Sequence, residues 1–119
     1  MRRIAVAADN NTVSGHFGLS EEFIYFDTEG ETVTNIERVH NPGHRPTELP
    51  EKVMDHKGKI DTIIAGRLGK EAAKIFEREG VEIIIGAEGE PEHIIDSYIR
   101  GELHSKGEFC DAWMCEFFF

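Results

Sequence analysis

The feature that most constrains this chain is a set of short apolar runs, each closed by a polar or glycine break. Ile4-Ala5-Val6-Ala7-Ala8 is apolar at every position and stops at Asp9-Asn10-Asn11. A continuous run with no alternation is what a strand buried on both faces requires. Asp61-Thr62-Ile63-Ile64-Ala65-Gly66 and Val81-Glu82-Ile83-Ile84-Ile85-Gly86 read as two more such strands, each ending in glycine. After each of these two the spacing turns helical. Leu68, Ala72, Ile75 and Phe76 share one face of a helix over 68–79, with Gly80 as its stop. Pro91 suits a first helical position, Ile94, Ile95, Tyr98 and Ile99 face inward, and Gly101 ends that helix.

Between the first strand and this strand–helix alternation lies a different pattern. Residues 23–27 are aromatic and β-branched, Thr28-Glu29-Gly30-Glu31 makes a turn, and 32–39 alternates. Two such runs joined by a short turn predict an antiparallel hairpin. Val33 and Ile36 do not share one alternation, so a bulge or twist is expected there. Thr47 can cap a short helix with Leu49, Val53 and Met54 inward, closed by Gly58. A meander followed by strand–helix–strand–helix gives an α/β fold with a mixed sheet, the later strands parallel to the first.

A chain of 119 residues is one domain by default. Residues 1–103 carry the α/β pattern. Residues 104–119 form an apolar tail, with Phe109-Cys110-Asp111-Ala112-Trp113-Met114-Cys115-Glu116-Phe117-Phe118-Phe119 lacking any clear period. Such a tail is expected to fold back or to meet a partner. The formal charge of −10 argues against a nucleic-acid partner and against an anionic membrane surface. No run nears the ~20 apolar residues that span a bilayer, and the apolar stretch after Met1-Arg2-Arg3 is too short for an export signal. The expected compartment is the cytoplasm, where two thiols are idle, redox-active or metal ligands more often than a structural disulfide.

With the first strand running up, the loops after strands one, three, four and five open on one edge of the sheet. Ligands of open α/β sheets bind at that carboxyl edge. There the sequence places His16 within Ser14-Gly15-His16-Phe17-Gly18, and His40 and His44 around Asn41-Pro42-Gly43. Neutral imidazole ligates iron, zinc, copper or nickel. Neighbouring glycines let backbone N–H groups approach an anion. Gly66-Arg67-Leu68-Gly69-Lys70 adds a helix N-terminus with two cations, a seat for sulfide or carboxylate. Equally, a loop histidine can simply be exposed, and the glycines can serve only the turns. Gly86-Ala87-Glu88-Gly89 fits neither the dinucleotide fingerprint nor the P-loop, and reads as a strand-to-helix turn. Cys110 and Cys115 are half of a four-ligand metal site. His104 could add a third ligand, or a second chain two more cysteines; otherwise both are ordinary thiols.

Five segments in fixed order resemble the dinitrogenase iron–molybdenum cofactor biosynthesis family, the NifX- and NifB-type domain. They are Ile4-Ala5-Val6-Ala7-Ala8-Asp9, Val13-Ser14-Gly15-His16-Phe17-Gly18, Asn41-Pro42-Gly43-His44, Asp61-Thr62-Ile63-Ile64-Ala65-Gly66-Arg67-Leu68-Gly69 and Gly86-Ala87-Glu88-Gly89. The resemblance implies a ribonuclease-H-like sheet of five strands ordered 3-2-1-4-5 and flanked by helices. It also implies the binding of iron–sulfur or iron–molybdenum-type clusters in cofactor assembly linked to nitrogen fixation. His16 and His44 match the family's loop histidines. The chain departs from the family at Arg45-Pro46-Thr47, where a glycine-rich run is common, and in the tail that carries Cys110 and Cys115.

The expectation is therefore a binder or carrier of clusters, not an enzyme, working with a cofactor-assembly protein and open to homodimerisation. Two alternatives differ in kind. A nuclease on such a sheet needs carboxylates converging on a divalent metal; Asp9 ends the first strand, but Ala65-Gly66-Arg67 brings no acid at the fourth. A regulatory or scaffold domain would bind a protein through the aromatic tail and hold no metal.

Overall fold

The computed structural model describes residues 2–41 and 49–105. The first apolar run lies in β1 (Arg2–Asp9), whose residues Ile4 to Ala8 are all fully buried. A two-residue strand, β2 (Thr12–Val13), folds back antiparallel on its end. The expected hairpin is β3 (Glu22–Glu29) and β4 (Thr32–His40), paired antiparallel. Its register shifts where Asp27 pairs with Asn35 but Thr28 pairs with Val33, so Thr34 is the extra residue of a bulge. Thr34 Oγ1 donates to the Asp27 carbonyl at 3.2 Å across that irregularity.

Next come α1 (Leu49–Met54), β5 (Thr62–Ile64), α2 (Lys70–Arg78), β6 (Glu82–Ile84) and α3 (Pro91–Ile99). The strand order is β4-β3-β1-β5-β6, with β2 attached to β1 outside that path. β5 runs parallel to β1, and β6 parallel to β5. The sheet is thus mixed, and it has six strands rather than five. The added strand is a two-residue excursion too short to leave an alternation in the sequence.

The core lies on both faces of this sheet. On one side, Ala5, Phe23, Tyr25 and Ile63 pack against Leu49, Val53, Ala72 and Phe76 of α1 and α2. On the other, Ile4, Val6, Ile24 and Ile64 pack against Ile94 and Ile95 of α3. Phe17 reaches the first layer from the loop after β2, with its ring edge-on to Phe76 at 5.6 Å. The second helix starts at Lys70, later than the spacing predicts. Gly69 is extended (φ −70°, ψ 154°) and serves as the N-cap, which leaves buried Leu68 in the connecting loop.

One charged pair is carried into this interior. Arg3 Nη1 donates to both carboxylate oxygens of Asp27 at 2.8 and 3.0 Å, and its Nη2 donates to the His56 carbonyl at 2.8 Å. The guanidinium lies 4.7 Å from the centroid of the Tyr25 ring. Burial pushes the Tyr25 hydroxyl well above the usual phenol range, and that hydroxyl donates to the Val53 carbonyl at 2.8 Å. These contacts tie β1 and β3 to α1 and to the turn that follows it, at the amino end of β1.

Candidate functional site

Three loops at the carboxyl edge enclose a cleft of about 460 Å³. That volume lies within the range of small-ligand pockets, roughly 300–1,000 Å³. Thr12, Val13, Gly15 and His16 form one wall, Gly66 and Arg67 the floor, and Gly86, Ala87, Glu88 and Gly89 the opposite wall. The loops are stitched by their backbones. Gly66 N–H donates to the Ser14 carbonyl at 2.8 Å, and Gly86 N–H to the Gly66 carbonyl at 2.8 Å. Val13 N–H donates to the Gly89 carbonyl at 2.8 Å, and Phe17 N–H to the Arg67 carbonyl at 3.1 Å.

Gly66 makes this closeness possible. A Cβ there would sit 2.7 Å from the Ser14 carbonyl oxygen and 3.0 Å from Gly15 Cα, both backbone atoms. Gly86 and Gly89 turn the far wall with φ of 79° and 108°, a region that side chains other than glycine rarely adopt. Ser14 is buried under the first wall, where its Oγ donates to the His16 carbonyl at 2.8 Å and accepts from His16 N–H at 3.2 Å. This double contact fixes the backbone that carries the His16 imidazole, which is half-buried. The cleft thus offers one imidazole, one exposed guanidinium, one exposed carboxylate and a lining of glycine backbone. Such a set suits an anionic, metal-containing ligand: an imidazole can donate to metal, while the Arg67 guanidinium offers positive charge.

Of the residues singled out in the sequence, the cleft brings together Gly15, His16, Gly66 and Arg67. Ser14 supports it from below. Gly18 and Gly69 do not line it; Gly18 lies in a short 3₁₀ turn and Gly69 caps α2. His40 ends β4 and lines a separate cavity of about 230 Å³ with Tyr25, Lys52 and His56. Asn41 holds the end of β4 beside the first loop, its Nδ2 donating to the carbonyls of Ser20 at 2.8 Å and Gly18 at 3.3 Å. His44, Cys110 and Cys115 lie outside the described residues. Asp9, the one acid considered for metal-dependent cleavage, accepts Glu21 N–H at 2.7 Å through its carboxylate and serves the loop. Among the described residues, no group of three or more His, Cys, Asp or Glu side chains is placed to hold a metal ion.

The strand-to-helix turn Gly86-Ala87-Glu88-Gly89 lies at the carboxyl edge, as expected, and supplies four of the lining residues, although no phosphate fingerprint marks it as part of a site. The available signal was the repeated arrangement of a buried strand ending in glycine, shared by 61–66 and 81–86.

Residues 1–101 match the family described as dinitrogenase iron–molybdenum cofactor. The chain belongs to this family. Among solved structures it is similar to that of PH0822, at 30% identity and a TM-score of 0.78, covering 94% of this chain and 97% of that one. The apo form of the orange protein from Desulfovibrio gigas has the same fold, with a TM-score of 0.73 at 19% identity over 90% of this chain and 94% of that one. The uncharacterized protein MJ0580 of Methanocaldococcus jannaschii is 24% identical over 107 residues, 87% of this chain and 90% of its own length. Membership places the chain among proteins of iron–molybdenum cofactor-related processes. No helix among the described residues is long and apolar enough to cross a membrane.

Proposed function

We propose that this protein binds and carries an iron–sulfur or iron–molybdenum-type cluster, as cargo, in the cleft at the carboxyl edge. The observation that carries this reading is the cleft itself: a glycine-lined bowl of about 460 Å³ with His16 on one wall and Arg67 on its floor. His16 would donate to a metal, Arg67 would face the cluster's negative charge, and the glycine backbone lets sulfide approach closely. On this reading the protein is not an enzyme. Glu88 is the one carboxylate among the cleft-lining residues, where metal-dependent hydrolysis needs several converging acids. The sheet path is the ribonuclease-H-like arrangement, the compartment is the cytoplasm, and the receiver is a cofactor-assembly protein. His44, Cys110 and Cys115 complete the proposed donor set, and two cysteines per chain would become four in a homodimer.

The test is anaerobic incubation of the full chain with iron and sulfide, or with tetrathiomolybdate, followed by gel filtration, metal analysis and visible spectroscopy. The expected result is co-eluting metal with charge-transfer bands. His16→Ala and Arg67→Gln are each expected to weaken binding about tenfold, the equivalent of one lost charge-assisted contact. Protein that elutes free of metal under all these conditions would favour the metal-free scaffold reading instead.

A further inference from the structure

Two charged side chains of the cleft are unpaired. Among the described residues, neither the Arg67 guanidinium nor the Glu88 carboxylate makes a hydrogen bond or an ion pair. They do not pair with each other either: one stands on the floor and the other on the far wall. That wall is held at both ends. Gly86 N–H donates to the Gly66 carbonyl, and the Gly89 carbonyl accepts Val13 N–H, each at 2.8 Å. Glu88 lies between these two anchors, so the backbone keeps its charge beside the cleft.

An exposed carboxylate is ordinary on a chain of charge −10, and Glu90 and Glu92 follow within four residues. Of these three acids only Glu88 lines the cleft. In a site whose free cation favours an anion, that carboxylate opposes every negative ligand that enters. Its effect is not the same for all of them. Phosphate and sulfate present only oxygen to the wall and have no atom that accepts an electron pair from a carboxylate. A ligand with iron at its surface does, because carboxylate oxygen, like imidazole, ligates iron. Discrimination between ligands often rests on a repulsive element of this kind. We infer that Glu88 sets the specificity of the cleft: it turns away oxyanions and supplies a second donor, on the wall opposite His16, to cargo with exposed metal. The donor role rests on the carrier function proposed above, whereas the exclusion of oxyanions stands on charge alone.

The test compares Glu88→Gln with Glu90→Gln in the full chain. Each removes one negative charge from an exposed position, but only the first removes it from the lining of the cleft. Inorganic phosphate is titrated by calorimetry at low ionic strength, where charge effects are least screened. Iron and sulfide are loaded anaerobically, and retained iron is counted after gel filtration. Glu88→Gln is expected to bind phosphate about tenfold more tightly than the parent, the equivalent of about 1.4 kcal/mol. It is also expected to retain several-fold less iron. Glu90→Gln should match the parent in both. Phosphate binding that stays undetected or unchanged in Glu88→Gln, or rises equally in Glu90→Gln, would overturn the exclusion. Full iron retention by Glu88→Gln would overturn the donor role. If the parent itself takes up no iron, the carrier reading fails, while the phosphate titration, which involves no metal, still decides whether Glu88 guards the cleft.

Discussion

Replacing Gly66 by alanine tests the stitching of the cleft most directly. The new methyl carbon would stand 2.7 Å from the Ser14 carbonyl oxygen and 3.0 Å from Gly15 Cα. Both are backbone atoms of a loop held by the contact of Ser14 N–H with the Ala7 carbonyl at 2.8 Å, so no side chain can swing aside. The loops must part. Overpacking of this kind costs about 1–3 kcal/mol. Parting also stretches the Gly66 N–H to Ser14 bond, worth about 1 kcal/mol. The expected loss is thus about 2–4 kcal/mol, a large share of the roughly 5–15 kcal/mol that holds a domain together.

The assay is urea unfolding of parent and Gly66→Ala, with Gly15→Ala as the partner experiment. A Cβ at Gly15 meets nothing within 4 Å, so that variant should keep its midpoint within about 0.5 kcal/mol. Because Gly15 lines the cleft, Gly15→Ala is nonetheless expected to alter ligand binding. The two glycines of one cleft then separate: Gly66 serves the fold and the site, Gly15 the site alone. Equal midpoints for Gly66→Ala and parent would refute the close approach of the two loops, and with it the shape of the cleft.

Three further outcomes follow from the same geometry. Asp27→Asn leaves the Arg3 charge in the interior with its partner gone, and thermal or urea unfolding should show a loss of about 3 kcal/mol. Adding Arg3→Met should restore part of that loss, since the stranded charge is removed. At Glu82, burial acts to raise the carboxyl pKa, but hydrogen bonds from Tyr98, Thr62 and Arg2 outweigh it and hold the group below the usual carboxylate range. A depressed carboxyl stabilises the fold above its unfolded pKa and loses that contribution as pH falls through the folded value. The stability gap between parent and Glu82→Gln should therefore narrow on acidification below about pH 4.5, the region where a free glutamate takes up its proton.

The mixed α/β sheet was legible because burial on both faces writes itself as uninterrupted apolar runs, as in Ile4 to Ala8. The hairpin and its bulge were legible from the misaligned Val33 and Ile36. What escaped was conformational. Thr12–Val13 is too short to show a period, yet it pairs with β1 and forms the near wall of the cleft. Leu68 carries the helical spacing and is buried, but the extended backbone of Gly69 keeps it out of the helix. The lining role of Gly86-Ala87-Glu88-Gly89 was not legible because it matches no phosphate fingerprint, and its contribution is made by backbone shape. A search for side-chain chemistry finds His16 and Arg67; it cannot find a wall made of glycine turns.

That composition bears on what kind of holding the cleft performs. A tightly kept metal group takes about four strong donors from its protein. Among the described residues the cleft presents one imidazole and one carboxylate, with Arg67 as counter-charge. A single guanidinium holds an anion with modest energy, of the order of a few kcal/mol. On the carrier reading this modesty is useful. Cargo that must leave for another protein is better cradled by shape and charge than fixed by a full set of ligands. Since Arg67 is the cation that lines the cleft among the described residues, metal release should be faster from Arg67→Gln than from the parent, at unchanged fold stability.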